Sequence, residues 1–387
     1  MLNQIFAVTA LNLRSIGARL GSSLVIVIGI AGVVGVLTSL LAMSKGFEAT
    51  LGATGRDDRA LVLRGGSSAE LNSGLSADNV QAIKDTRGAS GTLTSSAEMI
   101  VITEFASKAR GGSFNVTLRA VEQSGFQIRP EFRMVDGRKF EPGLQEVIVG
   151  KDALNAFEGV SIGSNLRFRG GDWKVVGVFE TGDSHDSELW ADLATAQTAF
   201  GRTGTSSVLV QLEDKDGFDA FAEALKEDPR VNVDVKREKE YFSGQSGQFR
   251  LLIGILSTVV GSIMGLGALF AALNTMYAAV STRTTEIATL RAIGFGSTAV
   301  VVSVVAEAIT LALLGGVIGA AISWLLFNGY SASTLGQGFT QVAFEFQVTP
   351  QLMSLGLFMA LFLGFLGGLL PAIRAARLPV TVALRGA

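Results

Sequence analysis

Arg283-Thr284-Thr285-Glu286-Ile287-Ala288-Thr289-Leu290-Arg291-Ala292-Ile293-Gly294 is a charged stretch set between two long apolar runs. Confined in that way, it is a tight turn-around at a membrane face. Glu286, Ala288, Leu290, Arg291 and Ala292 favour a helix, and Gly294 and Gly296 supply a stop. Ile287, Leu290, Ile293 and Gly294 share one side at helical spacing. So short a helix buries little by itself and is best explained as an element that docks onto something else. On composition alone a solvated loop, whose positive charges merely fix topology, stays open beside it.

Working outward, Leu24 to Met43 carries no charge for 20 residues, enough at 1.5 Å per residue to cross a hydrocarbon core of about 30 Å. Leu251–Val280, Ala292–Phe327 with one Glu, and Gln347–Ile373 repeat the pattern. The reading is four spans: 22–44, 246–281, 297–327 and 348–373. A cytoplasmic coupling segment takes 282–296, a short outer loop 328–347, and a tail 374–387.

At 387 residues, with 48% hydrophobic and only 17% charged residues, the chain is too apolar for an ordinary soluble protein. Its charges are unevenly spread. Outside Lys45–Arg250 the basic residues are Arg14, Arg19, Arg283, Arg291, Arg374, Arg377 and Arg385, and the acids are Glu286, Glu307 and Glu345. A polar domain is therefore flanked by membrane segments. There is no cysteine, hence no disulfide framework or thiol chemistry. A net charge of −2 gives no sign of nucleic-acid binding.

Residues 1–20 place Leu2, Ile5, Phe6, Thr9, Leu13, Ile16 and Leu20 at three- and four-residue spacing, which predicts an amphipathic helix lying on the membrane surface. A signal peptide would need a basic start and a short apolar core. Here Arg14 and Arg19 stand directly before the apolar run instead. The basic residues near the span ends alternate to one side, and the loop Asn328–Thr349 has no Lys or Arg. Both termini are thus expected in the cytoplasm, with the polar domain extracytoplasmic.

That domain, 45–245, mixes strand and helix signals. Leu61–Leu63, Met99–Ile102, Asn115–Val121, Val147–Val149, Trp173–Phe179 and Val208–Leu212 read as strands. Ser76–Lys84, with Ser76 as cap, Asp152–Phe157, Leu193–Phe200 and Phe218–Lys226 read as helices. The expected class is a membrane protein with four transmembrane α-helices and a large α+β extracytoplasmic domain. Arg237 to Arg250 runs into the second span without proline, as a polar linker or as a helix continuing out of the membrane as a stalk.

The run Arg283-x-x-Glu286-Ile287-x-x-Leu290-Arg291-Ala292-Ile293-Gly294, followed by Glu307-Ala308-x-x-Leu311 and Gly315-Gly316-x-x-Gly319, resembles the permease family that includes FtsX, LolC/LolE and the macrolide exporter MacB. The tail Pro371-Ala372-x-Arg374-Ala375-Ala376-Arg377-x-Pro379-Val380-x-x-Leu384-Arg385 is similar to that family's closing motif. Trp173–Phe179, with Leu193 and Gln197, resembles the inserted lobe of a MacB-type outer domain and implies two lobes, the insertion at about 123–205.

The resemblance implies that the charged stretch is a coupling helix touching an ABC ATPase, with Arg283, Glu286, Ile287, Leu290 and Arg291 as contact residues. No GxxxxGK[ST] phosphate loop occurs in the sequence, so the motor is expected on a separate ATPase, in two copies. ATP and Mg²⁺ would sit there, and no cofactor on this chain. The expected partners are a second permease copy, membrane lipid, a periplasmic adaptor and an outer-membrane duct.

Glu307 stands about ten residues inside the third span, where a carboxylate costs about 2.5–3.5 kcal/mol. It reads as a structural hydrogen-bonding group, or as a proton or cation site for which no second acid or histidine is at hand. The pairs Gly261/Gly265, Gly315/Gly319 and Gly364/Gly368 let helices approach closely, within the subunit or in a dimer. His185, the single histidine, lies in the acidic run Gly182–Glu188 and reads as part of a solvated loop, with no metal expected. No nucleophile signature is visible, so no catalytic residue is expected.

Four functional readings follow. The first is a MacB-like permease of the inner membrane, in which ATP-driven closure of the motors moves stalks and outer domains (mechanotransmission) to export a substrate. The others are a LolC/E-like lipoprotein-releasing permease, an FtsX-like regulator of a cell-wall hydrolase, and a proton-coupled transporter resting on Glu307.

Overall fold

In a computed structural model, residues 2–14, 20–86, 94–108, 113–168, 171–335 and 341–377 are described. The expectations for Arg19, Arg385 and the closing stretch 378–387 fall outside them, as does the side chain of Arg14.

In chain order, helices α1 (Leu2–Arg14) and α2 (Leu20–Ala53) lead into β1 (Arg59–Arg64), α3 (Ala77–Asp85), β2 (Thr94–Ala106), β3 (Ser113–Val121), α4 (Ser124–Ile128), β4 (Arg133–Gly137), β5 (Glu146–Gly150) and α5 (Lys151–Ala156). Next come β6 (Asn165–Phe168), β7 (Gly171–Glu180), β8 (Leu189–Asp192), α6 (Leu193–Phe200), β9 (Ser207–Gln211), α7 (Phe218–Glu227) and β10 (Val233–Arg237). The chain continues as α8 (Glu238–Thr282), α9 (Thr284–Ala292), α10 (Ser297–Phe327), the hairpin β11 (Ser331–Leu335) and β12 (Gln341–Glu345), and α11 (Pro350–Arg377). Among the described residues four helices, within α2, α8, α10 and α11, are long and apolar enough to cross a membrane.

The chain divides into two compact units. One comprises Met1–Lys45, Arg250–Tyr330 and Phe346–Ala387; the other comprises Gly46–Phe249 and Ser331–Glu345.

The membrane unit is built on close helix approach. A Cβ at Gly319 would lie 2.4 Å from the Ala31 carbonyl oxygen, and one at Gly315 2.7 Å from that of Val27, so α10 meets α2 backbone to backbone. Gly364 and Gly368 seat α11 on the small side chains of α10, where added Cβ atoms would fall 2.4 Å from Ala312 Cβ and 2.6 Å from Ala308 Cβ. Gly261 and Gly265 are different. Their nearest neighbours are the tips of Leu37 at 3.3 Å and Leu363 at 4.0 Å, so the α8 glycines do not seat a tight crossing within this chain. Ser39 and Ser323 add a hydroxyl pair at 3.0 Å between α2 and α10, a polar tie that apolar surroundings favour.

Helix α1 packs on α10 through part of its surface. Val8 is buried and Asn12 donates to Ser303 Oγ on α10 at 2.8 Å, whereas Phe6 is 78% exposed. The polar Asn12 faces protein because α10 offers a hydroxyl there.

The polar unit is α+β. Among the described residues its sheet has ten strands in the order β10-β1-β9-β2-β3-β8-β5-β7-β4, with β6 on β7. Only β3–β8 and β5–β7 are parallel. The strands read from sequence all appear, and Ser76 caps α3 by accepting from the Asn79 amide. Strands from 133–192 make one end of this sheet, which runs unbroken into the strands from the two chain ends. The seam is β8, between β3 and β5.

A buried charge network crosses the same unit. Arg119 binds Glu188, Glu98 and Glu70; Arg129 binds Glu98; Arg59 binds Glu131 and Glu238. Burial opposes ionisation of Glu98, but Arg129 and Arg119 outweigh it and hold the carboxyl down to about 2.

The run around His185 is not a solvated loop. Ser184–Ser187 forms a short 3-10 turn whose residues, with Asp183 and Glu188, are all buried, and His185 is 2% exposed. Its acids are spent internally: Asp183 on His185, Asp186 on the amides of Thr181 and Gly182, and Glu188 on Arg119 and the Trp190 indole. Among the described residues no group of His, Asp and Glu could hold a metal ion.

Candidate coupling site

The charged stretch is a helix, α9, set off from α8 by a break at Arg283, whose backbone leaves helical geometry at φ −106° and ψ 13°. Gly294, at φ +103°, closes the other end in a conformation that favours glycine. The chain so shaped gives α9 two faces.

The inward face holds Arg283 and Ile287. Arg283 Nη1 and Nη2 donate to Glu307 Oε2 and Oε1 of α10 at 3.0 and 3.2 Å, and both side chains are 5% exposed. Ile287 packs with Val280, Val300 and Val304. A space of about 20 Å³ beside the pair is lined by residues of α1, α8, α9 and α10, including Asn12, Ser303 and Glu286. That is room for about one water molecule in a polar setting.

Arg283 and Ile287, expected at an ATPase contact, are both buried against α10 in this chain. Arg283 is committed to neutralising a carboxylate that would otherwise be stranded at depth, and Ile287 to covering the pair with apolar surface. This also identifies what Glu307 does in this fold: it is one half of an ion pair.

The outward face holds Glu286, which is exposed, with Thr285 and Thr289 beside it and Leu290 and Arg291 half-buried. Ile293, 69% exposed, completes it two turns from Glu286. Spacing places Ile293 on one side with Ile287, which is buried. Ile293 escapes because the helix ends at Ala292 and the chain turns outward into Gly294. On the neighbouring helix end, the Arg374 guanidinium lies 5.5 Å from the Tyr277 ring centroid, a cation–π contact.

Comparisons with known proteins bear on this arrangement. Residues 20–228 match the family model described as the MacB-like periplasmic core domain, and residues 258–380 match the FtsX-like permease C-terminal model. The chain belongs to the MacB-like permease family.

Relatives of this MacB-like permease include the macrolide export ATP-binding/permease protein MacB of Nitrobacter winogradskyi. It is 28% identical over 393 residues, covering 93% of this chain and 57% of the relative. An ABC transporter permease of Bacillus subtilis, YknZ, is 26% identical over 206 residues, covering 51% of this chain and 49% of the relative. The permease thus spans about half the length of these relatives. Among solved structures, the periplasmic region of MacB from Actinobacillus actinomycetemcomitans aligns with TM-score 0.36 and 14% identity, covering 52% of this chain and 94% of that one. The extracellular domain of YknZ aligns with TM-score 0.34 and 20% identity, covering 43% and 91%.

Proposed function

We propose that this chain is the membrane subunit of an ABC transporter, in which a separate ATPase docks on the outward face of α9 and the permease converts ATP hydrolysis into movement of the polar unit to export a substrate. The observation carrying this reading is the two-sidedness of α9. Its inner face is fastened to α10 by Arg283–Glu307, and its outer face offers Glu286 and Ile293 to a partner. A helix so anchored passes on a push without deforming, and α8, continuous from Glu238 to Thr282, is the rod that would carry it.

The orientation belongs to the same proposal: an inner-membrane protein with both termini and α9 in the cytoplasm and the polar unit outside. Two ATPase copies and two permease copies make the assembly, with ATP and Mg²⁺ on the ATPases. An adaptor and an outer-membrane duct complete the export route.

The test is purification of the tagged chain from native membranes in mild detergent, with mass spectrometry of what accompanies it. An ABC ATPase should accompany the unsubstituted chain and be depleted by Glu286→Ala and by Ile293→Asp. If none accompanies the unsubstituted chain in any of several detergents, the proposal is lost.

One observation favours a second reading, release of a lipid-anchored cargo. An apolar groove of about 440 Å³ opens between α2 and α8, lined by Val25, Ile28, Gly29, Val33, Met264 and Ala268 among others. Crosslinking from Val33 to a lipid-anchored protein, with no adaptor in the purified complex, would select this reading over export.

A further inference from the structure

We infer that the buried turn Asp183–Glu188 is the mechanical junction of the polar unit, the point where the ends of α2 and α8 and the β11–β12 hairpin are fastened to β8. The inference rests on the reading that a motor moves the membrane helices, and names where that movement would enter the sheet.

The fastenings are specific. Thr54, directly after α2, is fully buried; its hydroxyl accepts from the Ser184 amide at 3.1 Å and lies 3.0 Å from Ser184 Oγ, its own proton shared with the Thr50 carbonyl oxygen at 2.9 Å. Ser187 Oγ accepts from the Ala343 amide of the hairpin at 2.9 Å. The His185 ring meets Phe242 of α8 edge-on at 5.4 Å and Trp190 of β8 at 5.7 Å.

Nothing in the turn is slack. Asp183 binds His185 Nδ1 at 2.9 Å, and Asp186 takes the amides of Thr181 and Gly182. A Cβ on Gly150 would fall 2.2 Å from the Asp186 carbonyl oxygen, so the turn rests directly on the backbone at the end of β5. Glu188 then delivers the turn into the sheet through two bonds from Arg119 of β3 and one from the Trp190 indole.

The same three membrane connections also meet one another. Phe47 of α2, Phe249 of α8 and Phe344 of the hairpin form a ring cluster with centroids 4.3, 5.5 and 6.3 Å apart. Gly55, at φ +78°, lets the end of α2 lie against the first turn of α8, where a Cβ would come 2.7 Å from Glu238 Cγ. Because β8 is paired to both β3 and β5, a displacement delivered to this turn reaches both halves of the sheet. A turn serving only local packing has no need of contacts to all three.

The chain's lack of cysteine makes the test direct. Val135→Cys on β4, an exposed position at the far edge of the sheet, carries an environment-sensitive fluorophore on the full chain, reconstituted with its ATPase in proteoliposomes. With Mg-ATP against Mg-ADP the fluorophore should shift. Adding Thr54→Val and Ser187→Ala should leave ATP hydrolysis unchanged and shrink the shift several-fold; a full-sized shift overturns the junction.

A second variant decides the matter should that one fold poorly. Thr54→Cys with Ser184→Cys, oxidised before labelling, should keep the shift, since the two sides travel together. Loss on oxidation with recovery on reduction would mean that they part during the cycle, and overturns the junction. Absence of any ATP-dependent shift in the otherwise unsubstituted chain overturns the motor-driven function and the junction together. A shift there with an undiminished double variant overturns the junction alone.

Discussion

Arg283 and Glu307 are 24 residues apart in sequence, and their pairing governs how each is read. Glu307 was legible as an anomaly, a lone acid in an apolar span. Arg283 was legible as a charge in a cytoplasmic patch. What could not be read was that the break after α8 turns Arg283 back toward α10, because a break at Thr282–Arg283 has no proline or glycine to announce it. Losing one partner of a buried pair strands the other, typically at about 3–5 kcal/mol. Arg283→Gln and Glu307→Gln should each lower stability in detergent on that scale, and the exchange Arg283→Glu with Glu307→Arg should recover part of it. Equal damage from the exchange and the single changes would show that the ion pair does not govern stability here.

His185 carries a second prediction at this scale. Burial works against a charged ring, but Asp183 and Glu188 outweigh it, with Arg119 opposing, so its pKa is raised above 6.5. A raised folded value means that the pair stabilises fully below about 6.5 and loses that contribution as pH climbs through the folded value. Melting of the purified chain should therefore decline on the alkaline side, and His185→Gln should flatten that decline. An unchanged pH profile in the variant would assign the decline to other groups.

Among the elements, the close-packed glycines divide sharply. Gly315 and Gly319 meet a carbonyl of α2, whereas Gly261 and Gly265 meet only flexible side-chain tips. Gly319→Ala should prise α2 from α10 at a cost of about 1–3 kcal/mol, while Gly261→Ala should stay within about 0.5 kcal/mol. Denaturation in mixed micelles separates the two, and equal effects would contradict the packing described. Spacing flagged both pairs alike, since a repeat of small residues says where helices can approach and not which partner is there.

Among the described residues six strands, β4, β6, β8, β10, β11 and β12, are not marked by the sequence pattern, and two of them show why. β8 is four residues long and fully buried, so it shows no alternation; β4 is nearly all exposed, so it shows no apolar face. The acidic run before β8 looked wet because charge was counted without its counter-charges, which come from β3 and from the turn's own amides.

At the scale of the molecule, hydropathy and charge placement gave the four spans, the polar unit and the class, because those depend on composition summed over long segments. Which side chains of α9 face inward did not follow, because that depends on a single backbone break. The polar unit shows one further property of its wiring. β1 is paired on one side with β9 and on the other with β10, through partners as distant in sequence as Ala60 and Arg237. Non-local pairing of this kind is slow to form. During synthesis β1 must wait, with both edges open, until residues 207–237 have emerged. The unit is therefore most vulnerable to proteases and to mispairing in that interval, and a chain stopped short of Val233 would carry an unsealed edge.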